Sequence, residues 1–242
     1  MRGSHHNLPA GVVTVTGDLL DAASLTEAVA GVSAIIHLAA VFRSQDMELI
    51  WKSNVDGTRN LINAAQLHAP GARFLLASTC HVYNSNNPHP GEENDVVEPT
   101  HPYPASKVAA EQALRESGLN WSVLRFPFVY GDGDGHLAAL PQYALKANWH
   151  PAMKISTIHH IDIAQAMRLA LDGIMDGRIV NITDEATMSI YELVQLAGGS
   201  MASSPAPLEN PWYLHASGAL ARSLGFQPAV RTVYQAMQEN LL

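Results

Sequence analysis

The strongest constraint on this chain is a set of short apolar runs that end in small or hydroxyl-bearing residues. Ala34-Ile-Ile-His-Leu-Ala-Ala40 ends in alanines, and Phe74-Leu-Leu-Ala-Ser-Thr79 ends in two hydroxyls. Trp121-Ser-Val-Leu-Arg-Phe126 runs into a loop marked by Pro127 and Gly131. Val12-Val-Thr-Val-Thr-Gly-Asp18 ends in a carboxylate, and 178–183 reads as a returning strand. Continuous apolar runs of this length are the mark of strands buried on both faces. Helix-like segments separate them at 24–30, 54–68, 106–116 and 161–173, with further helix at 189–196 and 230–242. Ser24, followed three residues later by Glu27, reads as an N-cap with a capping box. Such alternation predicts a parallel sheet with helices on both faces, and ligands then bind beyond the carboxyl ends of the strands.

Tyr103 and Lys107 stand four apart in a segment predicted to be helical, so they share one face. A lysine cation beside a phenol favours the phenolate and lets it exchange a proton. A chain needs that chemistry to take a proton from a carbinol, or return one, while hydride moves. Ser78 and Thr79 close a strand, where a hydroxyl can hold a substrate oxygen. His81 lies beside them, as an extra acid/base or as filling. Cys80 reads as a small buried residue, because nothing around it signals thiolate activation.

Together these residues resemble the extended short-chain dehydrogenase/reductase family, of the NAD-dependent epimerase/dehydratase type. The matching stretches are Gly17-Asp-Leu19, His37-Leu-Ala-Ala40, Asn54-Val-Asp-Gly-Thr-Arg-Asn60, Ser78-Thr79 with Val82-Tyr83, Tyr103-x-x-x-Lys107 and Leu124-Arg-Phe-Pro-Phe-Val-Tyr-Gly131. His160-Ile-Asp162 and Val180-Asn-Ile-Thr183 continue the series. The resemblance implies a Rossmann-like doubly wound α/β sheet and NAD or NADP as cofactor. It implies that Tyr103 is the general acid/base, that Lys107 tunes it and holds the nicotinamide ribose, and that Thr79, rather than Ser78, orients the reacting oxygen. Asp18 and Leu19 would meet the adenine side. Leu38, Ala39, Ala40, Ser78, Pro127 and Val129 would line the cofactor, and His81 would face substrate. The expected core is 7–135 with 155–183, and a small substrate lobe comprises 136–154 with 184–242. Helices 54–68 and 103–117 would pair in a homodimer.

The family's glycine-rich turn, which cradles a pyrophosphate at a helix N-terminus, is not in this sequence. The reading is of an N-terminally truncated fold, with residues 1–6 a purification tag or a loop remnant. A catalytically inactive protein or binding module therefore stands as an alternative. Thr79-Cys-His81 replaces the Thr-Asp-Glu of the family's dehydratases, which argues against water elimination. Only about twenty residues separate Gly135 from Ile158, so a small carbonyl is a rival to a sugar or nucleotide-sugar as substrate.

Net charge is −8, with 15% charged and 47% hydrophobic residues. That balance offers no basic patch for nucleic acid. No apolar run approaches a membrane span. One cysteine permits no internal disulfide, and a cytoplasmic setting is expected. The glycine-spaced acidic loop 131–135 lacks the further ligands of a calcium loop. His159, His160 and Asp162 are read as structural, so no metal is expected.

Overall fold

The computed structural model describes residues 9–131 and 133–242. The possible tag at 1–6 and Asp132 of the glycine-spaced loop lie outside the described residues. Four parallel strands form the central sheet: β1 (Ala34–His37), β2 (Arg73–Thr79), β3 (Asn120–Phe126) and β7 (Arg178–Asn181), side by side in that order. Ala34 pairs with Arg73, Thr79 with Phe126 and Ser122 with Arg178. The strands therefore point the same way, and their carboxyl ends share one edge of the sheet.

Alternation along β2 explains why its run is apolar throughout. Phe74 and Leu76 join Leu61, Ile62, Ala110 and Leu114 on one face, while Leu75 joins Ile158, Ala166, Val180 and Phe226 on the other. The first face is covered by α1 (Thr26–Val29), α3 (Gly57–His68) and α4 (Pro102–Arg115), and α2 (Met47–Trp51) packs against α4. The second is covered by α6 (His160–Leu171) and α8 (Ala219–Ser223). α3 continues α2 through a π-helical turn, Lys52–Asp56. The remaining elements are β4 (Phe128–Tyr130) beside β6 (Thr157–His159), β5 (Lys154–Ile155) beside β8 (Met188–Ser189), α5 (His136–Lys146), α7 (Ile190–Leu196) and α9 (Val233–Gln238). A separate apolar cluster unites α5, α7 and α9 through Leu140, Leu193 and Val233.

Two local expectations are corrected. Residues 12–17 form no strand, and Val12, Val13 and Val15 are exposed. No strand among the described residues lies beside them: the Val12 N–H turns back to the Pro9 carbonyl at 3.2 Å, and the valines find no neighbouring strand to pair with. Ser24 is not an N-cap. Asp21 caps a 3-10 turn, Ala22–Leu25, and the Ser24 hydroxyl lies within hydrogen-bonding distance of the carbonyls of Asp21 and Asp18. Ser189, by contrast, caps α7 with a complete capping box to Glu192.

Asp162 ties the helical cluster to the sheet. Its buried carboxylate accepts the backbone N–H groups of Ala229 at 2.6 Å and Val230 at 3.1 Å. Removing it leaves both donors without their acceptor. Asp162→Ala should cost about 3 kcal/mol in urea unfolding, the cost of two buried unmade bonds; a midpoint unchanged from wild type would show that the tie is dispensable.

Candidate active site

α4 packs against β2 and against the 3-10 turn Cys80–Val82 that follows the end of that strand. It begins at Pro102, whose fixed φ suits the first helical turn. Tyr103, Lys107 and Glu111 then recur every four residues, stacked along one face. Lys107 is 2% exposed and Glu111 3%. Burial pulls the Lys107 ammonium down to about 8, and the charge of Glu111 opposes that fall. Burial pushes the Tyr103 phenol up to about 12. In this structure desolvation of the phenol, rather than the charge of Lys107, governs the tyrosine. That differs from the lowering that a Lys–Tyr pair suggests in sequence.

Ser78 and Thr79 divide their work. The Ser78 hydroxyl lies in a short hydrogen bond with Oε1 of Glu111. That carboxylate also receives Arg125 from Nε at 3.0 Å and Nη2 at 2.6 Å. A serine proton given to a buried carboxylate is not free for a substrate. The Thr79 hydroxyl accepts the N–H of His81 at 3.2 Å and keeps its own proton to donate. His81 itself is exposed. Cys80 is buried, its Sγ lies 3.3 Å from the Arg125 carbonyl, and burial raises its thiol pKa.

From Arg125 the network continues to the Tyr83 hydroxyl at 3.0 Å and on to Asn181 Oδ1 at 2.7 Å. The Asn181 amide donates to the carbonyls of Gly91 and Ser217. Removal from water disfavours the Arg125 charge, but the two-pronged Glu111 contact outweighs it and holds the guanidinium protonated.

The stretch Asn54–Asn60 is a seam between helix and strand ends. Asn54, turned inward by the π-helical turn, accepts from the N–H of Val41 at 2.8 Å. Its amide donates to the Val41 carbonyl and to Ser106 Oγ, both at 2.9 Å. Thr58 gives its proton to the Asn54 carbonyl, so His37 Nε2 must donate to Thr58 across 2.9 Å. Burial, reinforced by Lys107, depresses His37 to about 4 and keeps it neutral. Asn60 donates to the Leu19 carbonyl, and Leu19 rests where a Cβ on Gly57 would be.

The residues expected to line a cofactor are arrayed along the same edge. Leu38 and Ala39 are exposed and Ala40 half-buried, an open ledge at the end of β1. Pro127 links β3 to β4, and Val129 is half-buried. Asp18 is exposed, and its carboxylate accepts the N–H of Leu20. Lys107 and Tyr103 fit the nicotinamide ribose end of a dinucleotide, and the ledge fits a flat group. No strand, glycine-rich turn and helix for a pyrophosphate occurs among the described residues.

Sequence reasoning missed Glu111, Arg125 and Asn181 as one network, and Phe42 as the aromatic neighbour of Tyr103 at 6.0 Å. Glu111 could have been found, since it repeats the four-residue spacing of Tyr103 and Lys107. Among the described residues no three acidic, histidine or cysteine side chains are grouped to hold a metal ion, and no helix is long and apolar enough to cross a membrane.

The sequence model for the NAD dependent epimerase/dehydratase family matches residues 2–183. A ceramide reductase from Caulobacter vibrioides is 31% identical over 157 residues, 63% of this chain and 45% of that protein. A dTDP-glucose 4,6-dehydratase from Streptomyces griseus is 31% identical over 245 residues, 88% of this chain and 72% of that protein. This chain thus spans less than half of the reductase. In three dimensions it is similar to UDP-glucose 4-epimerase from Brucella ovis, solved in complex with NAD. There the TM-score is 0.77 at 26% identity, covering 92% of this chain and 82% of the other.

The buried lysine gives a pH signature. Its folded pKa of about 8 lies below the ordinary lysine value of 10.5. Between those values the unfolded chain binds the proton and the native one does not, so stability rises with pH there. Lys107→Met should be more stable than wild type at pH 7, and that advantage should shrink as pH rises from about 8 to 10.5. Urea midpoints at pH 7 and at the high end of that window read it; a constant gap would show that Lys107 is not desolvated.

Proposed function

Because this chain belongs to the NAD dependent epimerase/dehydratase family, we propose that it interconverts a secondary alcohol and a ketone, with proton and hydride leaving or arriving together. One observation supports the reading: Tyr103 and Lys107 stand one turn apart on α4, and that helix packs against β2 and against the 3-10 turn that follows Thr79. When bound, NAD or NADP supplies or accepts the hydride. Tyr103 Oη moves the proton at the carbinol oxygen. Thr79 donates its free hydroxyl proton to that oxygen and fixes it. Lys107 contributes positive charge below the phenol and hydrogen-bonds the cofactor ribose. Ser78 serves the buried carboxylate rather than the substrate. Asp18, Leu19, Leu38, Ala39, Ala40, Pro127 and Val129 flank the cofactor.

The reading includes the expected division of the chain. Residues 7–135 and 155–183 carry the cofactor side, and 136–154 with 184–242 cover the substrate. Homodimerisation through 54–68 and 103–117 belongs to the same proposal. Sedimentation of a monomer alone at micromolar concentration would remove it. A cytoplasmic setting suits a chain in which no membrane-spanning helix is described.

Two features favour reduction or epimerisation over dehydration. Cys80 and His81 follow Thr79, and neither is a carboxylate able to protonate a leaving hydroxyl. A sugar or nucleotide-sugar fits the relatives named dehydratase and epimerase. A small-carbonyl reductase is the second reading, favoured by the aromatic ring of Phe42 against Tyr103.

Tyr103→Phe removes one hydroxyl and little else. Turnover of a responsive substrate, followed at 340 nm with NADH and NADPH, should fall by at least about a hundredfold, within the range for a general acid/base. The circular dichroism spectrum should not change. Activity retained within a factor of two would take the acid/base role from Tyr103.

A further inference from the structure

The loop after β1 reaches across the face of Tyr103 and contacts α5. Phe42 is 47% exposed, yet it is surrounded by rings. Its centroid lies 6.0 Å from Tyr103 and 6.3 Å from His136, and His136 lies 6.5 Å from Phe128. The next residue, Arg43, places its guanidinium carbon 4.9 Å from the Phe42 centroid and 5.0 Å from that of Tyr143 on α5. Arg43 forms no ion pair among the described residues. The base of this loop is fixed, because Asn54 grips both backbone groups of Val41 and also reaches Ser106 Oγ. Ser106 in turn lies within hydrogen-bonding distance of the Tyr103 carbonyl. One buried amide therefore sets the distance between Phe42 and the phenol.

We propose that Phe42 and Arg43 read the substrate: Phe42 packs a flat or apolar part of it beside Tyr103, and Arg43 takes an anionic group, carboxylate or phosphate, carried by the same molecule. The inference rests on Tyr103 as the reacting group. Stacking between two rings costs a guanidinium little, since it is weakly hydrated, and leaves its edge N–H groups free for a planar anion. In a chain of net charge −8, a guanidinium with no ion-pair partner among the described residues attracts an incoming anion locally. The arm thus selects substrates with the anion about one ring's width from the reacting carbon.

The test is equilibrium binding, read by calorimetry on the full chain. Wild type, Arg43→Gln, Phe42→Ala and Tyr103→Phe are titrated with 4-acetylbenzoate, UDP-glucose and neutral acetophenone. Arg43→Gln should weaken whichever anion binds by about ten- to a hundredfold, the span of a lost charge-assisted hydrogen bond. It should leave acetophenone unchanged, and Phe42→Ala should weaken both kinds of probe. Loss confined to 4-acetylbenzoate identifies a carboxylate, and loss confined to UDP-glucose a phosphate. Equal affinity of wild type and Arg43→Gln for both anions overturns the proposal, as does the absence of binding of either anion to the folded wild type. The readout is independent of turnover. Arg43-dependent binding alongside full activity in Tyr103→Phe would overturn the catalytic reading alone.

Discussion

The ion pair between Glu111 and Arg125 is the contact on which the rest of the site depends. It joins α4, which carries Tyr103 and Lys107, to β3 in the middle of the sheet. Both side chains are almost fully buried. A buried pair gains little net stability, because desolvation consumes most of the attraction, but breaking it strands a charge at a cost of several kcal/mol. Its value here is geometric. The carboxylate also engages Ser78 on β2, and the guanidinium reaches Tyr83 and, through it, Asn181 on β7. Three of the four central strands and α4 thus meet in one polar network.

Around that anchor the structure accepts local instability. Lys107 is desolvated, with its ammonium pulled down to about 8, and His37 is kept neutral beside it. Neither arrangement helps folding at neutral pH. A chain selected for stability alone would place an apolar side chain at 107. A buried lysine one turn from a half-buried tyrosine, on a helix packed against the strand that ends in Thr79, is what the proposed proton transfer requires.

Much of this was legible in sequence, for reasons that lie in particular residues. The run 73–79 announces a strand buried on both faces because Phe74, Leu75 and Leu76 are all apolar, and the structure buries all three. Asn54, Gly57, Thr58 and Asn60 stood out as a pattern: the two asparagines and the threonine each make a side-chain hydrogen bond, and Gly57 leaves room for Leu19. The strand expected at 12–18 failed because its valines signal β-propensity, and propensity needs a neighbour to act upon. The Ser24 cap failed because Asp21, three residues earlier, competes for the same turn with a stronger acceptor. The Ser78 contact, the Arg125 network and the ring of Phe42 against Tyr103 join residues 14 to 98 positions apart, which local spacing cannot report.

The central claim is that the carboxyl edge of the sheet, with Lys107 beneath it, is a nicotinamide site. Calorimetric titration of the folded chain with NADH and NADPH tests it directly, with Lys107→Met measured in parallel. The account predicts saturable binding of at least one of them, weakened by about tenfold or more when the lysine's charged hydrogen bond is lost. No binding up to millimolar cofactor, or equal affinity in Lys107→Met, would contradict it.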